Sequence, residues 1–173
     1  MISIISGPTC VGKTYFMENK KDRILELNNL PPTMEFHATG SISSTHLEFP
    51  EVVSHWKKRN DGGAIVDQLI CIHHNRLTEP QRTVLINAYK DNDDCFSKNV
   101  IILGIPYSEY KVRVKLRGKI HERLSSARLL HTINRYKDWI EELNKNEIPF
   151  LLVEAIGDYK VLEEEEFFRM LND

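Results

Sequence analysis

The feature that most constrains the fold is a short segment near the start of the chain, Gly-Pro-Thr-Cys-Val-Gly-Lys-Thr at positions 7–14. An apolar run at residues 2–6 precedes it, and a helical pattern follows it. Two glycines in this spacing, followed by lysine and a hydroxyl residue, are typical of a phosphate-binding loop (P-loop) between a strand and a helix. The segment therefore predicts an α/β fold in which the first strand delivers this loop.

Each part of the loop has its own predicted task. Gly7 and Gly12 permit backbone geometry that side chains would block, so that successive N–H groups can face phosphate oxygens. Lys13, expected to face solvent, should reach the β- and γ-phosphates of ATP, and the Thr14 hydroxyl should bind Mg²⁺. The predicted nucleotide-binding set is Gly7, Pro8, Thr9, Cys10, Val11, Gly12, Lys13 and Thr14.

Short apolar runs separated by helical stretches predict a mostly parallel, five-stranded sheet flanked by helices. Four strands are expected at residues 2–6, 64–66, 100–105 and 149–153. Two places compete for a fifth, residues 23–27 and residues 34–37.

Helices are predicted from Lys13 onward, from Thr78 to about Tyr89, at 122–144, and near the end of the chain around Phe167. The second of these opens on Thr78-Glu79-Pro80-Gln81, which combines a capping box with an early proline. Residues 1–173 are expected to form a single domain.

Charge, cysteine content and the length of the apolar runs indicate which partners and which cellular compartment to expect. The formal net charge of −2 and the pI of about 6.4 do not indicate a nucleic-acid-binding surface over the whole protein. The three cysteines lack metal-ligand spacing, which favours free thiols in a reducing, cytoplasmic setting. We expect no signal peptide before the loop and no membrane span, since the apolar runs are short.

Two further groups of residues are candidates for phosphoryl-transfer chemistry. Asp67 follows the predicted strand 64–66, where a carboxylate would complete the Mg²⁺ site. Arg113 and Arg117 lie in a cation-rich segment, about 113–123, that is similar to the lid of nucleoside, nucleotide and polynucleotide kinases. Lid arginines neutralise charge that develops on the transferred phosphoryl group, although a solvated basic face is the alternative.

The order of these pieces resembles the kinase domain of bacteriophage polynucleotide kinase and its relatives, over about residues 2–140. The matching residues are the loop, Asp67, Asn75, Pro80, Arg82, Arg113 and Arg117-Gly118. Tyr136 and Trp139, before the last strand, also resemble deoxynucleoside kinases. In the polynucleotide kinases an aspartate after the second strand acts as the base, but this chain has none between Asp22 and Asp61. Glu35 is the nearest substitute.

The resemblance implies an enzyme that uses ATP and Mg²⁺ to phosphorylate a hydroxyl on a nucleic-acid acceptor. The acceptor is either a polynucleotide 5′-hydroxyl or a 5-hydroxymethyl pyrimidine in DNA, as in a phage DNA-modification family. The candidate DNA-binding cations are Lys57, Lys58, Arg59, Arg76 and Arg82. His73 and His74 are interpreted as structural or substrate-edge residues, since adjacent strand residues face opposite sides.

Other functions stay open at the level of sequence. A deoxynucleoside or nucleoside monophosphate kinase is the main alternative. A nucleotide-dependent switch is disfavoured, because Asn144-Lys145-Asn146-Glu147 has glutamate where guanine recognition requires aspartate. A binding module without catalysis would leave the lid cations without a role. The donor base, ATP or GTP, and the oligomeric state are not indicated.

Overall fold

The computed structural model describes residues 1–42, 67–72, 77–118 and 126–173. Within these ranges the chain forms one six-stranded sheet with helices packed on both faces. The strands are β1 (Ile2–Ser6), β2 (Phe36–Ile42), β3 (Asp67–Ile72), β4 (Val100–Gly104), β5 (Phe150–Glu154) and β6 (Val161–Leu162). The helices are α1 (Lys13–Asn19), α2 (Lys21–Leu27), α3 (Glu79–Lys90), α4 (Tyr107–Leu116), α5 (Ser126–Lys145) and α6 (Glu164–Asn172).

The strand order is β2-β3-β1-β4-β5-β6, so β1 lies inside the sheet between β3 and β4. The first five strands pair in parallel, and β6 pairs antiparallel with β5. All five residues of β1 are buried. The loop that follows Ser6 therefore leaves the carboxyl edge of the sheet between two flanking strands, which is where α/β proteins bind ligands.

The two faces of β4 belong to two different hydrophobic cores. Val100 and Ile102 pack with α3, α5 and α6, whereas Ile101 and Leu103 pack with α1, α2 and α4. Each of these four side chains is at most 2% exposed. Because both faces are covered, the strand reads in the sequence as an uninterrupted apolar run rather than as an alternating one.

Close packing also explains a small residue at the end of β4. A Cβ atom at Gly104 would lie 2.5 Å from Cζ of Phe167, which is fully buried on α6. Phe167 in turn meets Tyr136 of α5 in an edge-to-face contact, with 5.4 Å between ring centroids. The glycine thus lets α6 approach the sheet edge beside the loop.

Several predicted elements are confirmed. β1, β4 and β5 lie within one residue of their predicted bounds, and α1 begins at Lys13. The capping box of α3 is present: the backbone N–H of Thr78 donates to Oε1 of Gln81 at 2.8 Å. The competition for the second strand is settled in favour of 34–37, because β2 begins at Phe36 and residues 23–27 lie within α2.

Other predictions were wrong. The described residues contain six strands rather than five, since β6 is only two residues long and gives no periodic signal. The strand expected to end at Asp67 instead begins there and continues to Ile72; residues 64–66 lie outside the described ranges. α2 and α4 were not predicted, and α4 covers the first part of the expected lid.

No helix in the described part of the chain combines the length and the apolar character that crossing a membrane requires.

Candidate nucleotide-binding site

The loop between β1 and α1 is held in a tight curve by close backbone packing. A Cβ atom at Gly7 would lie 2.8 Å from Cγ1 of Val11 and 3.0 Å from the carbonyl oxygen of Leu103. Gly12 has a φ of 104°, in the left-handed region, directly before the first helical residue. Cys10 also has a positive φ, 68°, and its thiol is buried and not in a disulfide. The sequence therefore places glycine where the curve leaves no room for a side chain.

Lys13 spans the loop rather than pointing away from it. Its Nζ donates to the carbonyl oxygens of Gly7 at 2.7 Å and Pro8 at 2.6 Å. The residue is only 4% exposed, so the expectation of a solvent-facing lysine was wrong. The ammonium is held by the loop that the phosphates of a nucleotide would enter, which places a positive charge in this cradle.

Two threonines offer hydroxyl groups at the loop. Thr14 is exposed in the first turn of α1, as a Mg²⁺ ligand to a bound nucleotide would need to be. Thr9 is buried, and its Oγ1 has no hydrogen-bond partner among the described residues. A buried hydroxyl without a partner is unusual in proteins and fits a loop that binds a polar ligand. These donors fit nucleotide phosphates with a bound Mg²⁺ ion.

A cavity of about 470 Å³ opens beside this loop. Its volume lies within the range typical of small-molecule sites, roughly 300–1,000 Å³. The lining residues come from the loop, α1 and the residue after it, α4 and the residue after it, and the connection between β5 and β6: Cys10, Gly12, Tyr15, Lys20, Arg113, Leu116, Arg117, Ala155, Ile156, Gly157 and Tyr159. The cavity thus joins the phosphate loop to both predicted lid arginines.

The far wall of the cavity is the segment 155–159, and it is anchored at both ends. The carbonyl oxygen of Ala155 accepts a hydrogen bond from Nη2 of Arg113 at 3.2 Å. The carbonyl oxygen of Tyr159 accepts from Nε and Nη2 of Arg23, at 3.2 and 3.1 Å. The Tyr159 ring stacks on Phe16 of α1, with 4.6 Å between ring centroids. These contacts keep the wall at a defined distance from the loop.

The described lining of the cavity is strongly cationic. Lys20, Arg113 and Arg117 line it, Arg113 being paired with Glu109 at 2.7 Å, and none of the lining residues is a carboxylate. Burial raises the pKa of Tyr159, and the Arg113 guanidinium opposes that shift. A site of this charge suits a polyanion such as a nucleoside triphosphate.

The two predicted lid arginines differ in their surroundings. Arg113 lies within α4, half-buried, and donates hydrogen bonds to Glu109, Val11 and Ala155. Arg117 directly follows α4 and is exposed beside the cavity. The expected lid, about 113–123, is thus partly a helix, while residues 119–125 lie outside the described ranges. The catalytic role of these arginines stays a proposal.

The two predicted carboxylates, Asp67 and Glu35, lie at the wrong edge of the sheet. In the parallel pairing of β1 with β3, Ile2 is opposite Gln68 and Ser6 is opposite Ile72. Asp67 is therefore level with the beginning of β1, about 17 Å along the strand from the end that carries the loop. Glu35 directly precedes β2, whose first residue, Phe36, is opposite Asp67. The Mg²⁺ role of Asp67 and the base role of Glu35 are both corrected by this register.

The predicted DNA-binding cations receive no support from the described residues. Lys57, Lys58, Arg59 and Arg76 lie outside the described ranges, as do His73 and His74. Arg82 is described, but it is 8% exposed and its Nη1 donates to the carbonyl oxygen of Leu77 at 3.1 Å. A guanidinium in that position is not a surface contact for a DNA strand. No cluster of three potential metal-ligating side chains occurs in the described ranges.

The sequence analysis named Tyr136 and Trp139 for their resemblance to deoxynucleoside kinases but did not predict that they support the loop from another element. Nε1 of Trp139 donates to the hydroxyl oxygen of Ser6 at 3.2 Å, and the Tyr136 hydroxyl donates to the carbonyl oxygen of Leu103 at 2.6 Å. Arg23 was considered only as part of a possible strand. The polar tips of Trp139 and Tyr136, three residues apart on an apolar helical stripe, were the available signal, since buried indole and phenol groups need partners.

No model of a protein family matches the sequence, and no curated protein matches it. Solved structures similar to it include deoxyadenosine kinase from M. mycoides with bound dATP, at a TM-score of 0.43 and 15% identity. The structure of the same enzyme with the products dCMP and a flexible dCDP has a TM-score of 0.43 and 14% identity. Each alignment covers 99% of this chain and 96% of the other. A likeness at this level carries no argument about activity, and the resemblance to phage polynucleotide kinases stays a prediction.

Proposed function

We propose that this chain is an ATP-dependent phosphotransferase that phosphorylates a deoxynucleoside or a nucleoside monophosphate. The observation that carries the proposal is the position of Lys13, whose ammonium is held inside the phosphate loop. A charged group at this position matches the β- and γ-phosphates of a nucleoside triphosphate. The same loop borders a cavity of about 470 Å³ through Cys10 and Gly12. The adjoining cavity has the volume for the rest of the nucleotide.

The donor nucleotide is expected to bind across the loop and the cavity. Its phosphates face the loop N–H groups and the N-terminal end of α1, which carries a positive partial charge. Its base occupies the cavity between α4 and the wall 155–159, where Leu116 and Ile156 offer apolar surface. Lys20 and Arg117 add charge at the same opening.

In the transfer step the bond between the γ-phosphorus and the β,γ-bridging oxygen breaks, its electron pair leaves with ADP, and a bond to the acceptor oxygen forms. The proton of a nucleoside hydroxyl passes to water, whereas an ionised monophosphate oxygen carries no proton. Mg²⁺, held by Thr14 and phosphate oxygens, would neutralise charge on the β- and γ-phosphates when bound. Lys13 stabilises the negative charge that moves onto the departing ADP. Arg117, which is exposed on the lining of the cavity beside the loop, is the proposed lid arginine that stabilises the transferred group.

A small acceptor is favoured over a polymer by charge. A protein that holds a DNA strand needs a row of accessible cations. Arg82, the described member of the candidate patch, is buried, and the formal net charge of the chain is −2. The hydroxyl of a nucleoside or the phosphate of a monophosphate needs no such row.

The test is transfer of label from γ-labelled ATP to a panel of acceptors. The panel contains the four deoxynucleosides, the nucleoside and deoxynucleoside monophosphates, a 5′-hydroxyl oligonucleotide and DNA with hydroxymethylated pyrimidines; GTP serves as the second donor. Lys13→Ala is the inactive control. Lys21→Ala, an exposed lysine at the start of α2 that does not line the cavity, is the matched control.

The proposal predicts label in one or more small acceptors with wild type and Lys21→Ala, and none with Lys13→Ala. If only an oligonucleotide is labelled, the chain is still a kinase, but its acceptor is a nucleic acid rather than a small molecule. Absence of transfer to every acceptor, with ATP bound, would contradict the phosphotransferase itself.

A further inference from the structure

We propose that Arg113 is a positioning residue that fixes the spacing between the phosphate loop and the wall of the base cavity, rather than a residue that contacts the transferred phosphoryl group. The inference rests on the proposed function, because it concerns the same nucleotide site. It departs from the expectation, raised by the sequence, that Arg113 and Arg117 act alike.

The Arg113 guanidinium bridges two backbone segments that are distant in the sequence. Nη1 donates to the carbonyl oxygen of Val11 in the phosphate loop at 2.8 Å. Nη2 donates to the carbonyl oxygen of Ala155, where the wall 155–159 begins, at 3.2 Å. A guanidinium is planar and its donors are fixed relative to each other, so the two carbonyl groups are held at a set separation.

Glu109 fixes the orientation of this bridge. Its Oε1 accepts a hydrogen bond from Nε of Arg113 at 2.7 Å, one helical turn earlier on α4. The order, with glutamate four residues before the cation, is the favourable one on a helix. Nε, Nη1 and Nη2 of the guanidinium each therefore have a protein partner before any nucleotide binds, and these contacts use three of its five N–H groups.

Gly12 gives the bridge its access to the loop. A Cβ atom at this position would lie 3.0 Å from Nη1 of Arg113. The absence of a side chain thus serves two purposes, since the φ of 104° also requires glycine at the start of α1. Arg113 and the phosphate loop are packed against each other as closely as the backbone allows.

Redirecting Arg113 toward a phosphate would remove the protein donor from both carbonyl groups. Val11 is fully buried and Ala155 is 1% exposed, so their carbonyl oxygens would lose a donor inside the protein. An unpaired buried carbonyl group is costly. Arg117 has no such constraint, because it is exposed beyond the end of α4.

This geometry makes a specific demand on binding. ATP contacts both the phosphate loop and the wall, so its affinity depends on their separation. Inorganic tripolyphosphate contacts the loop alone and is insensitive to the position of the wall. Loss of the bridge should therefore weaken the binding of ATP more than the binding of tripolyphosphate. A general loss of stability would not produce this difference.

The experiment compares wild type, Arg113→Ala, Arg113→Lys and Arg117→Ala by calorimetric titration with ATP and with tripolyphosphate, and by kcat at saturating ATP. Arg113→Ala should weaken the binding of ATP about tenfold or more, because the loop and the wall are no longer held at the spacing that ATP requires, and the binding of tripolyphosphate about threefold at most. Arg113→Lys should not restore ATP affinity, because an ammonium cannot bridge both carbonyl groups. Arg117→Ala should lower kcat by a larger factor than it raises the Kd for ATP, because Arg117 acts on the transferred group as well as lining the cavity.

Glu109→Gln is the milder variant in case Arg113→Ala does not fold. It retains the bridge and should weaken the binding of ATP about twofold to threefold. Two results for Arg113→Ala would overturn the positioning role. One is equal weakening of the binding of ATP and of tripolyphosphate. The other is a large loss of kcat with the ATP affinity of wild type. Wild-type protein that binds neither ligand would overturn the proposed function as well. Wild-type protein that binds both, with Arg113→Ala indistinguishable from it, would overturn this inference alone.

Discussion

The indole N–H of Trp139 donates a hydrogen bond to the hydroxyl oxygen of Ser6, 3.2 Å away, although 133 residues separate them in the sequence. Trp139 is 1% exposed and Ser6 is fully buried. Ser6 is the last residue of β1, so this bond attaches α5 to the point where the phosphate loop begins. The loop is thus supported from the helical layer as well as from the sheet.

Replacement of Trp139 by phenylalanine should lower the free energy of unfolding by about 1–3 kcal/mol, because the Ser6 hydroxyl loses its donor and the smaller ring leaves a void. Urea denaturation measures the change. Ser6→Ala is the matched variant, since it removes the acceptor and leaves the indole N–H buried without one. A double-mutant cycle in which the two losses simply add would show that the hydrogen bond contributes nothing.

Lys13→Ala should reduce phosphoryl transfer at least a hundredfold, on the order of the loss seen when one charge-stabilising donor is removed from an active site. The same variant should also lower the free energy of unfolding by about 1–3 kcal/mol, because the Gly7 and Pro8 carbonyl groups lose their donor. Steady-state rates and thermal denaturation measure the two effects. Lys21→Ala should change neither, and a Lys13→Ala protein with normal turnover would refute the role of the loop.

Asp67→Asn and Glu35→Gln should leave kcat and its dependence on Mg²⁺ concentration unchanged. The physical reason is the strand register, which puts both residues at the sheet edge opposite the loop, about 17 Å along β3 in the case of Asp67. A Mg²⁺ titration of each variant beside wild type is the measurement. A shift of the Mg²⁺ midpoint by tenfold or more in Asp67→Asn would mean that the register does not describe the active protein.

The sequence predicted those elements whose signal is local. The spacing of Gly7, Gly12 and Lys13 identified the loop, and the uninterrupted apolar runs identified β4 and β5, because both faces of these strands are covered. Asp67 was misplaced because an apolar run shows that a strand exists nearby but not at which residue the strand ends. Gln68, a polar residue inside β3, hid the continuation to Ile72.

The contacts of Arg113 could not be predicted from the sequence for a different reason. Its acceptors are backbone carbonyl groups of Val11 and Ala155, 102 and 42 residues away. Every residue has a carbonyl group, so such a partner leaves no trace in the pattern of side chains. In the sequence, an arginine that binds backbone carbonyl groups cannot be distinguished from an exposed arginine in the same run of cations.

Tyr136 predicts a dependence of stability on alkaline pH. Its hydroxyl donates to the Leu103 carbonyl oxygen at 2.6 Å, and burial, followed by the neighbouring Tyr110, raises its pKa well above the ordinary value. Because the folded pKa lies above the unfolded value of about 10, folding is favoured below that pH and this contribution is lost as the pH rises further.

Tyr136→Phe should therefore lower the free energy of unfolding by about 1 kcal/mol at neutral pH, because the hydrogen bond to Leu103 is lost. Above pH 10 its stability should fall less steeply than that of wild type. Urea denaturation at several pH values measures both, and Tyr15→Phe, an exposed tyrosine, should retain the wild-type slope. Parallel curves for wild type and Tyr136→Phe would contradict the assignment.

The most direct test of the central claim, that residues 7–14 hold the phosphates of a nucleoside triphosphate, is calorimetric titration of wild type and Lys13→Ala with ATP and Mg²⁺. We expect one ATP to bind per chain with a Kd on the order of micromolar to millimolar, as is typical of enzyme substrates. Tripolyphosphate should compete with ATP, and Lys13→Ala should bind ATP at least tenfold more weakly. Equal ATP affinity in the two proteins, or no binding to wild type at millimolar ATP, would contradict the claim.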